Sequence, residues 1–339
     1  MSPYPTSQVE ADGPTATTCL ELVHDELEAV EARLRLAAAS SVRQVDAVGR
    51  HLLLAGGKRF RPACVILSAK AVSRTFDYER LVAVAAAMEL VHTATLVHDD
   101  VVDNTWVRRG AATANAVFGN GVAVLTGDYL LARAVDMLVH EENTRLARTL
   151  ARITVDMSEG EVLQMVATGD PHVEDSAYYD MIRKKTAVFI SGCCRAGAIL
   201  GDASEDEELV LADYGLNLGM AFQIADDLLD YTGDPAVTGK PVGTDLREGR
   251  ATLPLLLGLR TSGDGQRETL LAAFGNGSLQ DKAVSVVVRT LARLGAFDEA
   301  DAIARRFATE AKMTLASLRP TSYRDALAQL ADYAVDRNR

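Results

Sequence analysis

Residues 80–103 read RLVAVAAAMELVHTATLVHDDVVD, and this stretch decides the class of the fold. Its apolar residues recur at intervals of three and four positions, which is the spacing of one face of an α-helix. The stretch contains no proline or glycine that would end a helix. The pattern therefore predicts one helix that is longer than average.

The same spacing recurs in five further stretches, at residues 20–40, 111–140, 143–167, 174–200 and 204–231. Most prolines lie in the N-terminal segment or between these stretches, and glycine clusters mark the loops. No alternating run of β-branched residues indicates a sheet. We therefore predict a disordered tail over residues 1–18 and a single all-α domain over residues 19–339.

Composition excludes several classes of protein. The chain has 339 residues, of which 48% are hydrophobic, and this is enough for a sizeable core. There are 35 Lys and Arg residues and 47 Asp and Glu residues, so the net charge of −12 predicts no nucleic-acid binding. The four cysteines form no CxxC pair, so we expect no zinc site and a reducing, cytoplasmic location.

Membrane insertion and secretion are not predicted either. The longest apolar run, Leu81 to Met88, is interrupted by Glu89 and is too short to span a bilayer. The first 18 residues contain neither a basic nor an apolar region typical of a signal peptide. No basic amphipathic helix is present, so we expect at most transient membrane contact.

Two aspartate clusters lie within predicted helices, HDDVVD at residues 98–103 and ADDLLD at residues 225–230. In each cluster the first and last aspartates are four positions apart, so their carboxylates lie on one helix face. Such acids repel one another unless a cation neutralises them, and Mg²⁺ pairs carboxylates with substrate phosphates. One cluster alone is typical of a solvated helix face, but two inside apolar helices favour a metal site. The candidate metal ligands are Asp99, Asp100, Asp103, Asp226, Asp227 and Asp230.

Basic residues are concentrated at a few positions of this acidic chain. GGKRFRP, at residues 56–62, places three cations on a glycine-opened turn before a helix, where phosphate groups bind well. The other basic candidates are Arg108, Arg109, Lys184, Lys185 and Lys240. Each alone is typical of a solvated surface. Together with two metal clusters, they predict a cavity for two diphosphates.

The motifs GGKRFRP, ELVHTATLVHDDVVDNTWVRRG, GDYLLARA, KKT, MAFQIADDLLD and GKPVGTDLREGRATLPL resemble, in this order, those of the trans-isoprenyl diphosphate synthases, the polyprenyl synthetase family. The long-chain, octaprenyl and heptaprenyl type is the most similar. The resemblance covers roughly residues 20 to 335. It implies an isoprenoid-synthase helical bundle around a deep central cavity, and a homodimer formed through helices near the first aspartate motif.

The resemblance also implies roles for single residues. The Mg²⁺ ligands would be Asp99, Asp103 and Asp226, supported by Asp100, Asp227 and Asp230. The allylic prenyl diphosphate would contact Arg108, Lys185 and Lys240. The diphosphate of isopentenyl diphosphate would contact Lys58, Arg61, His92 and Arg109. The allylic carbocation would lie beside Lys185, Thr186 and Gln223.

Three other functions stay open at this point. A class I terpene cyclase also has an all-α fold and one DDxxD motif, but its second metal motif is an Asn/Ser/Glu pattern unlike ADDLLD. A non-catalytic subunit of a heteromeric synthase would have eroded acidic or basic motifs. A helical scaffold protein would need neither aspartate cluster.

Product length is predicted from the helix that contains the first aspartate cluster. Thr95 and Ala94 lie four and five residues before Asp99, where short-product members of the family have bulky aromatics. From Met88 to Asp99 the helix rises about 16 Å. The chain-length candidates, all without an aromatic ring, are Met88, Val91, Ala94, Thr95 and Val135. We therefore expect an all-trans product of about C35 to C45, of the kind used for quinone side chains, with geranylgeranyl or farnesyl diphosphate as the alternative.

Overall fold

Helices make up most of the chain that the computed structural model describes, which comprises residues 16–54, 56–73, 75–108, 110–235 and 241–336. The first helices are α1 (Ala16–Glu21), α2 (His24–Ala38), α3 (Arg43–Leu54), α4 (Phe60–Val72) and α5 (Tyr78–Val102). A short antiparallel ribbon of β1 (Val107–Arg108) and β2 (Ala111–Ala112) follows.

The middle of the chain contains α6 (Ala114–Phe118), α7 (Asn120–His140), α8 (Thr144–Ala167), α9 (Asp175–Ile182), a π-helical turn (Arg183–Ala187), α10 (Val188–Leu200) and α11 (Glu205–Thr232). The C-terminal part contains α12 (Thr244–Glu248), α13 (Leu253–Thr261), α14 (Asp264–Ala273), α15 (Asp281–Arg293), α16 (Ala296–Thr314), a 3₁₀ turn (Leu315–Ser317) and α17 (Ser322–Asp336).

The predicted all-α class is confirmed, and the long helices lie within two residues of the predicted bounds at most ends. The predicted helix 111–140 is interrupted at Gly119, whose φ of +82° separates α6 from α7. An L side chain rarely adopts this backbone conformation. The first described helix begins at Ala16, so residues 16–18 of the predicted tail are helical, and residues 1–15 lie outside the described ranges.

The helix α5 lies in the core, where it packs against α7, α2 and α4. In the described ranges it is the helix whose length and apolar composition would allow it to cross a membrane, yet 78% of its most apolar window is buried inside the protein. The sequence prediction counted the apolar run only as far as Glu89. Because Glu89 is itself buried and paired with Arg59, the buried face continues past it.

The second long helix of the core, α11, begins at a capping box in which Ser204 and Glu207 bond each other's backbone N–H groups. It packs against α10 on one side and α16 on another. The two aspartate clusters lie towards the C-terminal ends of α5 and α11. The fold thereby brings both clusters to one cavity.

Candidate active site

A cavity of about 1030 Å³ is lined by residues of α5, α11 and the loop that precedes α4. From α5 the wall contains Glu89, His92, Leu96, Asp99 and Asp103. These positions are three or four residues apart, so they form a single stripe along one face of the helix. The first and last aspartates of the first cluster therefore face the cavity together.

The helix α11 supplies the wall that contains the second cluster. Its cavity-lining residues are Phe222, Gln223, Asp226, Asp227, Leu229 and Asp230. The two aspartate clusters, far apart in sequence, therefore line the same space. This is the arrangement that the resemblance implied.

Asp99 is the first-cluster acid whose charge is most costly. Burial raises the pKa of Asp99 to about 6, and the nearby carboxylates of Glu161 and Asp103 act in the same direction. The cations of Lys185 and Arg108 only partly offset this effect. A carboxylate in this position favours a cation beside it.

The other two acids of the first cluster have arginine partners. Asp100 is buried and accepts hydrogen bonds from Nε and Nη2 of Arg108, both at 2.8 Å. It does not line the large cavity, because one helical step turns it away from the stripe of Asp99 and Asp103. Asp103 pairs with Arg250, whose Nη2 lies 2.8 Å from Oδ2 of Asp103.

In the second cluster one acid is exposed, one is buried and one is partly buried. Asp226 is exposed towards the cavity. Asp227 is buried and accepts hydrogen bonds from Tyr178 and Gln223. Burial and the nearby Asp245 raise the pKa of Asp227 well above its ordinary value, although those two hydrogen bonds lower it.

Asp230 organises the segment that follows the second cluster. Its two carboxylate oxygens accept hydrogen bonds from the backbone N–H groups of Thr244 and Asp245, each at 3.1 Å. These are the first N–H groups of α12, and an acid at a helix N-terminus is favourable. Asp100, Asp103, Asp227 and Asp230 all accept hydrogen bonds or ion pairs from the protein itself, and the metal roles predicted for all six acids stay predictions.

The loop before α4 and the first turn of α4 present two of the cations predicted to bind isopentenyl diphosphate. Lys58 and Arg61 both line the cavity, with Lys58 Nζ 5.3 Å from the centre of the Tyr333 ring. Between them Arg59 has a left-handed backbone, with φ of +49°, and its side chain is buried. Arg59 pairs with Glu31 of α2 and with Glu89 of α5. The loop is therefore tied to two helices.

His92, which is also predicted to contact isopentenyl diphosphate, lines the cavity next to Glu89 and is partly buried. Its ring centre lies 6.4 Å from that of Phe189, and the guanidinium of Arg61 lies 5.2 Å from the same phenyl ring. His92 and Arg61 therefore lie around one aromatic side chain. This placement agrees with a shared ligand.

Lys185 and Thr186 lie on the π-helical turn, and both line the cavity. A π turn inserts one residue into a helix and is frequent at functional sites. The turn packs directly against two glycines. A Cβ at Gly160 would lie only 2.4 Å from Lys185 N, and a Cβ at Gly219 would lie only 2.4 Å from the Cα of Ala187. Nζ of Lys185 lies 2.5 Å from Oε2 of Glu161.

The chain-length candidates do not line this cavity. Met88, Val91 and Ala94 are buried among core side chains, and Thr95 donates its hydroxyl to the backbone oxygen of His92 at 2.8 Å. Val135 is 44% exposed on α7. The stripe of α5 that lines this cavity and includes Asp99 continues through Leu96 and His92 instead, and the chain-length role of these residues stays a prediction.

Two predicted diphosphate contacts, Arg109 and Lys240, lie outside the described residues. Three other side chains at the site were not predicted. Arg250 bridges the first aspartate cluster to the segment after the second, Glu161 pairs with Lys185, and Glu89 holds Arg59. A lone acid in an apolar helix was a usable signal for Glu89. No local pattern indicates the partners of Arg250 or Glu161.

Metal binding would need ligands beyond the protein. In the part of the chain that the structure describes, no three His, Cys, Asp or Glu side chains converge closely enough to hold an ion. Mg²⁺ commonly binds through one or two carboxylates and completes its shell with water and substrate phosphates. The oxygen donors of Asp99, Asp103 and Asp226 fit that mode of binding.

Comparison with known proteins identifies the family. The sequence pattern of the family described as Polyprenyl synthetase matches residues 42–291. The octaprenyl diphosphate synthase of Escherichia coli (strain K12) is 36% identical over 319 residues, which are 94% of this chain and 98% of that protein. The chain belongs to the polyprenyl synthetase family.

Other members of the polyprenyl synthetase family are equally similar. The short chain isoprenyl diphosphate synthase of Methanothermobacter thermautotrophicus is 37% identical over 85% of this chain and 88% of its own length. The crystal structure of a polyprenyl synthase from Caulobacter crescentus CB15, complexed with calcium and isoprenyl diphosphate, superposes with a TM-score of 0.91. It is 36% identical and covers 97% of this chain and 100% of that one.

Membership of this family confirms the isoprenoid-synthase fold and the prenyltransferase class of the enzyme. The protein is a trans-prenyl diphosphate synthase whose relatives include long-chain enzymes. The terpene cyclase and scaffold alternatives are set aside. Identity alone does not decide product length, because an octaprenyl and a short-chain enzyme are similar to this chain to the same degree.

Proposed function

We propose that this protein is a Mg²⁺-dependent synthase that extends an allylic prenyl diphosphate with isopentenyl diphosphate to an all-trans product of about C35 to C45, for a quinone side chain. The observation that supports this most directly is the wall of the 1030 Å³ cavity, where acids of both aspartate clusters lie together with separate groups of cations. That volume is at the upper end of the range of roughly 300 to 1,000 Å³ usual for small-molecule pockets.

The two groups of cations suit two diphosphates. Lys58 lies on the loop before α4 and Arg61 on the first turn of α4, and the diphosphate of isopentenyl diphosphate would bind there beside His92. Lys185 and Arg108 lie beside Asp99, and the allylic diphosphate would bind there. The Caulobacter crescentus polyprenyl synthase was crystallised with calcium and isoprenyl diphosphate, which supports the binding of a divalent cation and a prenyl diphosphate by this chain as well.

Mg²⁺, when bound, would neutralise charge on the allylic diphosphate and make it a better leaving group. Asp99, Asp103 and Asp226 would hold the ion, and Lys185 and Arg108 would stabilise the departing anion. As the allylic C1–O bond breaks, C1 becomes cationic beside Thr186 and Gln223. The double bond of isopentenyl diphosphate then attacks C1 through its C4, C2 loses a proton, and the released diphosphate accepts it.

Chain length is proposed from two observations. The buried stretch of α5 below Asp99 has small or aliphatic side chains, with Ala94 only 1% exposed, and the octaprenyl enzyme of Escherichia coli is similar along nearly its whole length. A geranylgeranyl or farnesyl product is the second candidate, favoured by the equally similar short-chain enzyme.

One incubation tests these proposals together. The purified protein is mixed with Mg²⁺, radiolabelled isopentenyl diphosphate and farnesyl diphosphate, and the dephosphorylated products are separated by chromatography. We expect alcohols of 35 to 45 carbons. A product that stops at 20 carbons would favour the second candidate, as would one that stops at 15 carbons when geranyl diphosphate replaces farnesyl diphosphate as the primer. A cyclic hydrocarbon would indicate a cyclase, and no product a subunit that needs a partner.

We also propose a cytoplasmic homodimer with at most transient membrane contact. Adjacent helices α7 and α8 expose apolar side chains that a partner could bury, including Leu125 at 67% and Val166 at 79% exposure. Further exposed members of this set are Val139, Val155, Val162 and Met165. Sedimentation at micromolar concentration tests the dimer, and a monomer would contradict it.

A further inference from the structure

A chain of three hydrogen bonds connects a buried tyrosine to the cavity wall. Tyr178 Oη donates to Asp227 Oδ2 at 2.6 Å, and Gln223 Nε2 donates to Asp227 Oδ1 at 2.8 Å. Thr186 Oγ1 donates to Gln223 Oε1 at 2.8 Å. Thr186 and Gln223 line the cavity, whereas Tyr178 is fully buried behind it on α9. Three elements of the fold, α9, the π turn and α11, are joined by this chain.

The direction of each bond follows from the chemistry of the groups. Asp227 Oδ1 accepts, so Gln223 must turn its NH₂ group towards it and its carbonyl oxygen towards Thr186. A threonine hydroxyl has one hydrogen and two lone pairs, and here the hydrogen is used by Gln223. The proton between Tyr178 Oη and Asp227 Oδ2 can lie on either oxygen. In both cases Oδ1 of Asp227 still accepts the hydrogen bond from Gln223. Thr186 can therefore present only lone pairs to the cavity.

An oxygen that presents only lone pairs stabilises positive charge and repels a phosphate oxygen. Electrostatic stabilisation is strongest where such dipoles are oriented before the reaction starts. The backbone of the π turn is held by close contact with Gly160 and Gly219, so the hydroxyl rotation of Thr186 is the remaining freedom. The hydrogen-bond chain removes that freedom.

We propose that Tyr178 is a positioning residue, which acts through Asp227 and Gln223 to keep the lone pairs of Thr186 directed at the carbocation that develops on the allylic substrate. This inference rests on the proposed function. Tyr178 touches neither substrate nor metal in this scheme, and its hydroxyl is the part of the side chain that matters.

The test is a double-mutant cycle between Tyr178→Phe and Thr186→Val, with kcat and KM measured for chain extension. In the otherwise unchanged enzyme, Tyr178→Phe is expected to lower kcat about 10- to 100-fold, since misdirected groups cost that much, with little change in KM for either substrate. In the Thr186→Val background it is expected to change kcat less than about twofold. The same loss in both backgrounds, or no loss in either, would overturn the inference.

The neighbouring Tyr179 provides a matched control. It is a partly buried tyrosine on the same helix, and its ring centre lies 5.3 Å from that of Tyr178. Tyr179→Phe removes an identical atom and is expected to leave kcat unchanged. A fall equal to that of Tyr178→Phe would indicate general loss of packing and would overturn the inference.

If Tyr178→Phe does not fold, as judged by its thermal unfolding, Gln223→Met replaces it in the cycle. This change keeps a side chain of similar length but removes both hydrogen bonds of Gln223, so the hydroxyl of Thr186 is no longer fixed. Its cost should be smaller in the Thr186→Val background, and a cost of equal size there would overturn the inference. Absence of product from the unmodified enzyme would overturn the proposed function itself. That outcome differs from a cycle in which the two substitutions lower kcat independently, which would overturn only the role of Tyr178.

Discussion

Gly160→Ala should separate the geometry of the π turn from the stability of the fold. The added Cβ would lie 2.4 Å from Lys185 N and 2.8 Å from Lys185 Cα. Comfortable contacts between such atoms are about 3.5 to 4.0 Å, so the turn must retreat by about 1 Å. That retreat displaces the ammonium of Lys185 and the hydroxyl of Thr186 from the cavity wall.

The expected magnitudes for stability and activity differ. Overpacking costs about 1 to 3 kcal/mol, while alanine in a helix interior gains about 0.8 to 1.0 kcal/mol over glycine, so the free energy of unfolding should fall by about 1 kcal/mol. A displacement of about 1 Å at reacting groups costs about 100-fold in rate. The loss of kcat/KM should therefore be far larger than the loss of stability suggests.

Urea unfolding and steady-state chain extension measure the two quantities. The control is Gly265→Ala on α14, where the added Cβ meets nothing within 4 Å. It should gain up to about 1 kcal/mol and keep full activity. If Gly160→Ala behaved like this control, gaining stability with unchanged kcat/KM, the argument that close packing against Gly160 positions Lys185 and Thr186 would be refuted.

Three further predictions concern the acids and the product. Asp99→Ala and Asp226→Ala should each abolish turnover, because each removes a proposed metal ligand, while the circular dichroism spectrum stays unchanged. EDTA should stop the unmodified enzyme and Mg²⁺ should restore it. Turnover by either variant would contradict the assignment of these aspartates as metal ligands. Because the pKa of Asp99 is raised from 3.8 to about 6 by folding, the metal-free protein should lose up to about 3 kcal/mol of stability as pH rises from about 4 to above 6. In urea unfolding with EDTA at several pH values, Asp99→Asn should not show that loss of stability. If the free energy of unfolding changed with pH in the same way in the variant and the unmodified protein, the raised pKa of Asp99 would be contradicted. Ala94→Phe should shorten the product if the tail grows along the buried face of α5, since Ala94 is 1% exposed and a phenyl ring there must fill adjoining space; an unchanged product distribution by chromatography would exclude that route.

The helices were predictable because their cause is local. Apolar spacing and the scarcity of glycine and proline define α5 and α11 without reference to the rest of the chain. The π turn was not predictable, because it depends on Gly160 and Gly219, which approach from two other helices. Its residues have ordinary helical composition.

The site shows the same division. That Asp99 and Asp103 share a face follows from helix geometry, and so does the turn of Asp100 away from them. The partner of Asp103 could not be predicted, since Arg250 comes from a distant segment that the fold brings across the cavity. The growth path of the product stays a prediction for a related reason, because spacing alone does not say which neighbouring helix covers each side of α5.

The left-handed conformation of Arg59 bears on how much a ligand must organise when it arrives. An L residue in this region costs about 1 to 2 kcal/mol, and here the ion pairs with Glu31 and Glu89 hold Arg59 in this conformation. A diphosphate that binds Lys58 and Arg61 therefore meets a loop whose shape already exists. None of its binding free energy is consumed in ordering that backbone, so this half of the cavity should accept its ligand whether or not the other half is filled.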